Sequence, residues 1–132
     1  MSYNVVLEAR NVLVNDADVT SLVSPTNIRV GWSEGQISMP AIIISIVGET
    51  DTGYLGFGTA PEGSRIHRVV ATLQFDILSK SSVKETLQID DAMTEALLEN
   101  GYSKITETDM WDNYLKAHRR IVRFRKTYIK EM

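Results

Sequence analysis

The sequence predicts an α+β domain: a mostly antiparallel sheet of about four strands, flanked by two main helices and carrying a long glycine-rich hairpin loop. Three observations predict it. Apolar residues recur at helical spacing over 3–14 and 83–99, they alternate at strand spacing over 66–78 and 118–129, and five of the eight glycines fall between Gly48 and Gly63. At 132 residues, 43% hydrophobic and 23% charged, the chain fits a single domain spanning 1–132. Such a chain buries roughly two thirds of the surface its unfolded form exposes, enough for one core.

The elements follow in order. Val5, Val6, Ala9, Val12 and Leu13 place one apolar stripe on a helix over Tyr3–Val14. Asn15-Asp16-Ala17-Asp18 ends it, and Val19–Val23 continues as a short second helical piece until Pro25 and Asn27 break the pattern. Ile28–Trp32 alternates weakly, and Ser33-Glu34-Gly35-Gln36 reads as a polar loop. After Pro40, the β-branched run Ala41–Val47 predicts a central strand covered on both faces. Gly48–Arg65 is a long loop or a strongly twisted hairpin.

Ile66–Leu78 predicts a half-buried strand, with Val69, Ala71, Leu73, Phe75 and Ile77 inward and Arg68, Thr72, Gln74 and Asp76 outward. Ser82 followed by Glu85 is a capping box, opening a helix over Val83–Glu99 that buries Val83, Leu87, Met93, Ala96 and Leu97. Gly101 supplies its stop. Tyr102–Asp112 is mixed and polar with Trp111 as its expected anchor. His118–Ile129 closes the order as a strand, Val122, Phe124 and Tyr128 on one face and Arg119, Ile121, Arg123 and Arg125 on the other.

Composition excludes several chemistries. The absence of cysteine removes disulfides, thiol catalysis and thiolate metal sites, and suits a reducing compartment. The N-terminal residues lack the basic and apolar regions of a signal peptide, and the longest apolar run, Ala41–Val47, is far short of the roughly 20 residues that span a bilayer. A soluble protein made in the cytoplasm is expected. The net charge of −3 is divided unevenly: Lys116, Arg119, Arg120, Arg123, Arg125, Lys126 and Lys130 are half of all the basic residues, opposed in that stretch by Glu131 alone. Residues 116–132 therefore carry +6 and residues 1–115 carry −9.

Candidate chemical constellations are weak. Asp16 and Asp18 lack a third ligand at calcium-loop spacing and read as polar residues at a helix end. His67 and His118 stand in no HExxH or nucleophile-elbow pattern. Asp90 and Asp91 point about 100° apart on a helix and read as a solvated edge, with Asp90 near the apolar rim. Gly53-Tyr54-Leu55-Gly56-Phe57-Gly58 has the glycines of a phosphate loop without its lysine or its following helix. It is a flexible hairpin tip, or an apolar docking patch of Tyr54, Leu55 and Phe57. The stretch Arg119, Arg120, Arg123, Arg125 and Lys126 has three readings: a charge-protected edge strand, a contact for the acidic surface of another subunit, or a nucleic-acid site disfavoured by the acidic remainder. No catalytic, cofactor-binding or metal-binding residue is assigned, and no enzyme activity is expected.

With its elements in this order, the chain resembles the tail terminator and tail completion proteins of long-tailed bacteriophages. The resemblance rests on the opening helix with Asn15-Asp16-Ala17-Asp18-Val19 and Leu22-Val23, and on Ile28-Arg29-Val30-Gly31 with Met39-Pro40-Ala41-Ile42-Ile43-Ile44. The strand Arg68–Leu78 running into the capped helix and the terminal arginine-rich strand complete it. The glycine-rich stretch is longer and more aromatic than the family pattern. The resemblance implies a hexameric homo-oligomeric ring in the virion, at the head-proximal end of the tail tube and assembled in the host cytoplasm. It implies contacts with tail tube protein and with head connector or neck proteins, DNA contact only through the ring lumen, no cofactor and no membrane. Other head-tail connector, neck or minor tail proteins share this pattern as alternatives.

Overall fold

The computed structural model describes residues 2–32, 36–54 and 66–131, and the side chains of 5–32, 36–50 and 68–128. Helix α1 (Ser2–Val14) is followed by a short helix α2 (Ala17–Thr20), a 3-10 turn (Pro25–Asn27) and a short strand β1 (Ile28–Val30). Then come β2 (Ala41–Tyr54), β3 (Ile66–Ser79), α3 (Val83–Glu99), β4 (Tyr102–Asp112) and β5 (Ala117–Glu131).

The sheet has five strands in the order β1-β2-β3-β5-β4, one more than expected. It is mixed, because β1 pairs in parallel with β2 at Ile28↔Ile42 and Val30↔Ile44, while the other pairs are antiparallel. The fifth strand is β4, where only a polar connection was expected. β5 therefore lies inside the sheet, bonded to β3 and β4, and is not an edge. Over 48–65 the hairpin alternative holds at its base: β2 runs to Tyr54, opposite His67 of β3, with a bulge at Val47. Leu55 and Phe57 lie outside the described residues.

Helices α1 and α3 pack on one face of the sheet. Val5, Val6, Ala9 and Leu13 of α1 and Ile89, Met93, Ala96 and Leu97 of α3 meet Ile42, Ile44, Leu73, Phe75, Ile77, Val122 and Phe124. Phe75 and Phe124 meet edge to face, with centroids 5.5 Å apart at 88°. Such a pair adds roughly 1 kcal/mol beyond the area it buries. The double-sided burial expected of 41–47 holds for Ala41–Ile44 and lapses after them, Val47 being 47% exposed where β1 no longer covers β2.

The buried face of α3 is turned from the expected one. Val83 and Leu87 are exposed, and Thr86 and Asp90 take buried positions beside Ile89 and Met93. Its cap also differs in detail. The Glu85 amide donates to Ser82 Oγ at 3.1 Å, as a capping box requires. The Glu85 carboxylate, however, accepts the Ser79 hydroxyl at 2.6 Å, and Ser79 Oγ in turn accepts the amides of Ser81 and Ser82. Gly101 ends the helix with φ of +88°, a conformation only glycine adopts without strain.

Candidate functional site

Side chains alternate across β5, so its basic residues part company. Arg120, Val122, Phe124 and Lys126 point to the helix side, and Arg119, Ile121, Arg123 and Arg125 point to the opposite, helix-free side. The run that reads as one basic stretch becomes two separate sets.

On the helix side, Arg120 is 6% exposed and holds three carboxylates: Asp90 at 2.6 Å, Asp109 at 2.8 Å and Glu107 at 2.6 Å. Asp90, 1% exposed, also accepts from Thr94 at 2.8 Å and from Lys104 at 3.1 Å, and Lys104 reaches Glu107 at 2.6 Å. This cluster ties α3, β4 and β5 together. Asp90 is thus a buried ligand of Arg120, and not part of a solvated edge. Burial pushes its carboxyl up, and the bonds from Arg120, Thr94 and Lys104 outweigh that and hold it below the usual range. Lys104 loses by burial and gains more from Glu107 and Asp90, so its ammonium is held more firmly than usual. Glu107 is lowered by its bond to Lys104. Further along the same side Lys126 pairs with Glu8 of α1 and lies over the Tyr102 ring at 4.8 Å. Tyr128 donates to Glu49 at 3.0 Å, and burial with that bond pushes its hydroxyl up to about 12.

On the helix-free side, Arg119 holds the fully buried Asp76 at 2.7 Å and Asp112 at 3.2 Å, under the Trp32 ring at 5.1 Å. Gln74 donates to Asp76 at 3.0 Å and accepts from Arg123 Nε at 3.1 Å. Arg123 and Arg125 are exposed, and neither has an ion pair among the described residues.

The remaining candidates have structural roles where they are described. Asp16 caps α2, accepting the amides of Asp18 and Val19 at 3.0 and 3.1 Å. His118 meets Trp111 edge to face at 5.1 Å, and Trp111 is 48% exposed, so it is no core anchor. His67 and Tyr54 are described as backbone at the β2–β3 pair. Among the described residues no three His, Asp or Glu side chains could hold a metal ion, and no helix is long and apolar enough to cross a membrane.

Sequence reasoning missed the sheet's open edge. β4 pairs on one side with β5, and every residue from Ile105 to Trp111 is exposed, among them Ile105, Met110 and Trp111. Tyr114, in the turn that follows, is 94% exposed. Beyond Ile44, β2 also lacks an outer partner among the described residues. The fold therefore offers two different open edges.

No family model matches the chain, and no curated protein does. Among solved structures, a chain of the virion of a native gene transfer agent particle superimposes with a TM-score of 0.62 at 12% identity, covering 92% of both chains. At that identity the likeness is one of fold.

Proposed function

We propose that this chain is a structural virion protein that forms a ring on the head-proximal end of a phage tail tube, ends tube polymerisation and presents the surface for head joining. The observation that carries the proposal is the fold likeness, over 92% of both chains, to a chain of a virion. The resemblance in element order to tail terminators supplies the position within the tail.

The sheet edges support a ring. Strand directions make β4 antiparallel to β2, so β4 of one copy laid against the open length of β2 in the next continues the sheet as an antiparallel pair. Two unlike edges give a head-to-tail contact, which forms a closed ring when the rotation between copies closes. Main-chain hydrogen bonds supply affinity in such a pairing, and Ile105, Met110 and Trp111 supply apolar area. Tyr54, Leu55 and Phe57 of the glycine-rich stretch are a second contact in this proposal, toward the tube or the head connector.

Purified protein mixed with tail tubes and imaged in negative stain tests the reading, with native mass spectrometry for ring size. Hexameric rings seated on one end of each tube are expected. A protein that stays monomeric and leaves tube ends growing overturns the proposal, and a ring found elsewhere in the particle replaces the terminator role with that of a neck or minor tail protein.

A further inference from the structure

The protein is acidic as a whole, yet the fold sorts its charges by face. On the helix-free face of the sheet, the described carboxylates are Asp76 and Asp112, and both are held by Arg119. Arg123 and Arg125 stand exposed beside them, two residues apart on β5, and Arg29 and Arg68 point to the same face from β1 and β3. Residues two apart on a strand place their side chains roughly 7 Å from each other, about the separation of successive phosphates along a nucleic-acid strand. Around them the face is hydroxyl-rich, with Thr72, Thr106, Thr108 and Thr127. Arg68, Val70, Gly101, Ser103, Arg125 and Thr127 line an open depression of about 260 Å³ across β3, β5 and β4.

We propose that this face binds the phosphate backbone of duplex DNA without sequence preference, through Arg123 and Arg125. Guanidinium groups and hydroxyls are the usual partners of phosphate oxygens. A protein partner fits the Arg123–Arg125 part of the face less well, because its exposed aromatic, Trp32, lies away from them over Arg119. The exposed apolar residues Val47, Ile105 and Met110 lie at its rims, on β2 and β4. The exposed carboxylates of α3, Asp91, Glu95 and Glu99, lie beyond the helix layer. A duplex on the far face meets Arg123 and Arg125 directly and has the sheet and the helix layer between it and these carboxylates, so they oppose it from a greater distance. Gln74, bonded to both Asp76 and Arg123, holds the Arg123 guanidinium toward the surface. In the proposed ring this face would line the channel, and the inference rests on that reading for its place in the particle but not for the binding itself.

The test is fluorescence anisotropy of a labelled random-sequence duplex with the full chain at 50 and 200 mM NaCl, comparing wild type, R123A/R125A and R123K/R125K. Wild-type binding is expected to weaken at least tenfold over that salt range. R123A/R125A should bind at least tenfold more weakly at 50 mM, with a salt slope shallower by about 2 for two lost phosphate contacts, and R123K/R125K should restore most of the binding. Native mass spectrometry of the same variants should show an unchanged oligomeric state. No binding at 50 mM, or binding indifferent to R123A/R125A, overturns the inference. So does a double variant whose assembly dissociates while its DNA binding is unaltered, since the face is then a contact between copies. DNA binding by a protein that stays monomeric keeps the inference and sinks the ring.

Discussion

Asp90 occupies a position on α3 where the helical repeat asks for an apolar side chain, and it is tolerated because Arg120, Lys104 and Thr94 meet its carboxylate from three directions. Breaking a buried pair from one side costs about 3–5 kcal/mol, because the other charge is left behind. Arg120 keeps Glu107 and Asp109, so D90N should cost about 3 kcal/mol, the low end of that range, as read from urea unfolding. The pH dependence follows from the depressed carboxyl. A folded pKa below the unfolded value of about 3.9 gives stability that is present above that pH and lost as pH falls through the folded value. Wild-type stability should therefore drop on acidification below about pH 4, and D90N should lose part of that slope. A variant with the wild-type acid profile would show that the Asp90 carboxylate is not the group being protonated. The partnership was illegible in the sequence, since Asp90 and Arg120 lie thirty positions apart and hydropathy alone marks both as surface residues.

At the scale of elements, legibility followed the strength of the repeat. The span Val83–Glu99 was readable from its cap, and β3 from its alternation, but the buried arc of α3 was misphased because Thr86 and Asp90 fill places that an apolar count skips. β4 was missed for a different reason: both faces of an edge strand are wet, so Thr-Glu-Thr-Asp shows no alternation to read. β1 is three residues long and exists through its parallel pairing with β2, which no local pattern encodes. The start of α3 carries a prediction of its own. Ser79 ends β3 yet accepts the Ser81 and Ser82 amides and donates to Glu85, linking strand and helix. S82A should cost about 1 kcal/mol as the loss of a cap. S79A, though three residues before the cap and not a cap itself, should cost a similar amount, and S79A/S82A less than the sum of the two, because they serve one network. Additive losses in urea unfolding would show that the two serines act independently.

Across the whole molecule, the charge division legible along the chain is undone by folding and remade by face. The basic C-terminal stretch does meet an acidic surface, but much of that surface belongs to its own chain: Arg120 finds Asp90, Glu107 and Asp109, Arg119 finds Asp76 and Asp112, and Lys126 finds Glu8. In the proposed ring, charge attraction between copies is correspondingly weaker than the sequence suggests, and the open edges carry the contact. The edge β4 already carries partial protection in the bulge at Ile105 and in Lys104, Glu107 and Asp109, yet these charges are spent inside the fold on Asp90 and Arg120 and leave the outer rim apolar at Ile105 and Met110. A lysine placed on such a rim opposes strand addition while leaving a solvated side chain in the monomer. I105K/M110K should therefore leave the unfolding free energy of the protomer within about 0.5 kcal/mol of wild type, as surface changes do, while native mass spectrometry shows monomer in place of the proposed ring. V47K, on the open length of β2, should have the same effect from the opposite side of the contact. Mixing the two variants would leave one unaltered β4 and one unaltered β2 per pair, enough for a single junction but not for a closed ring, so dimers are expected in the mixture. Rings persisting in both variants would place the contact between copies away from the sheet edges.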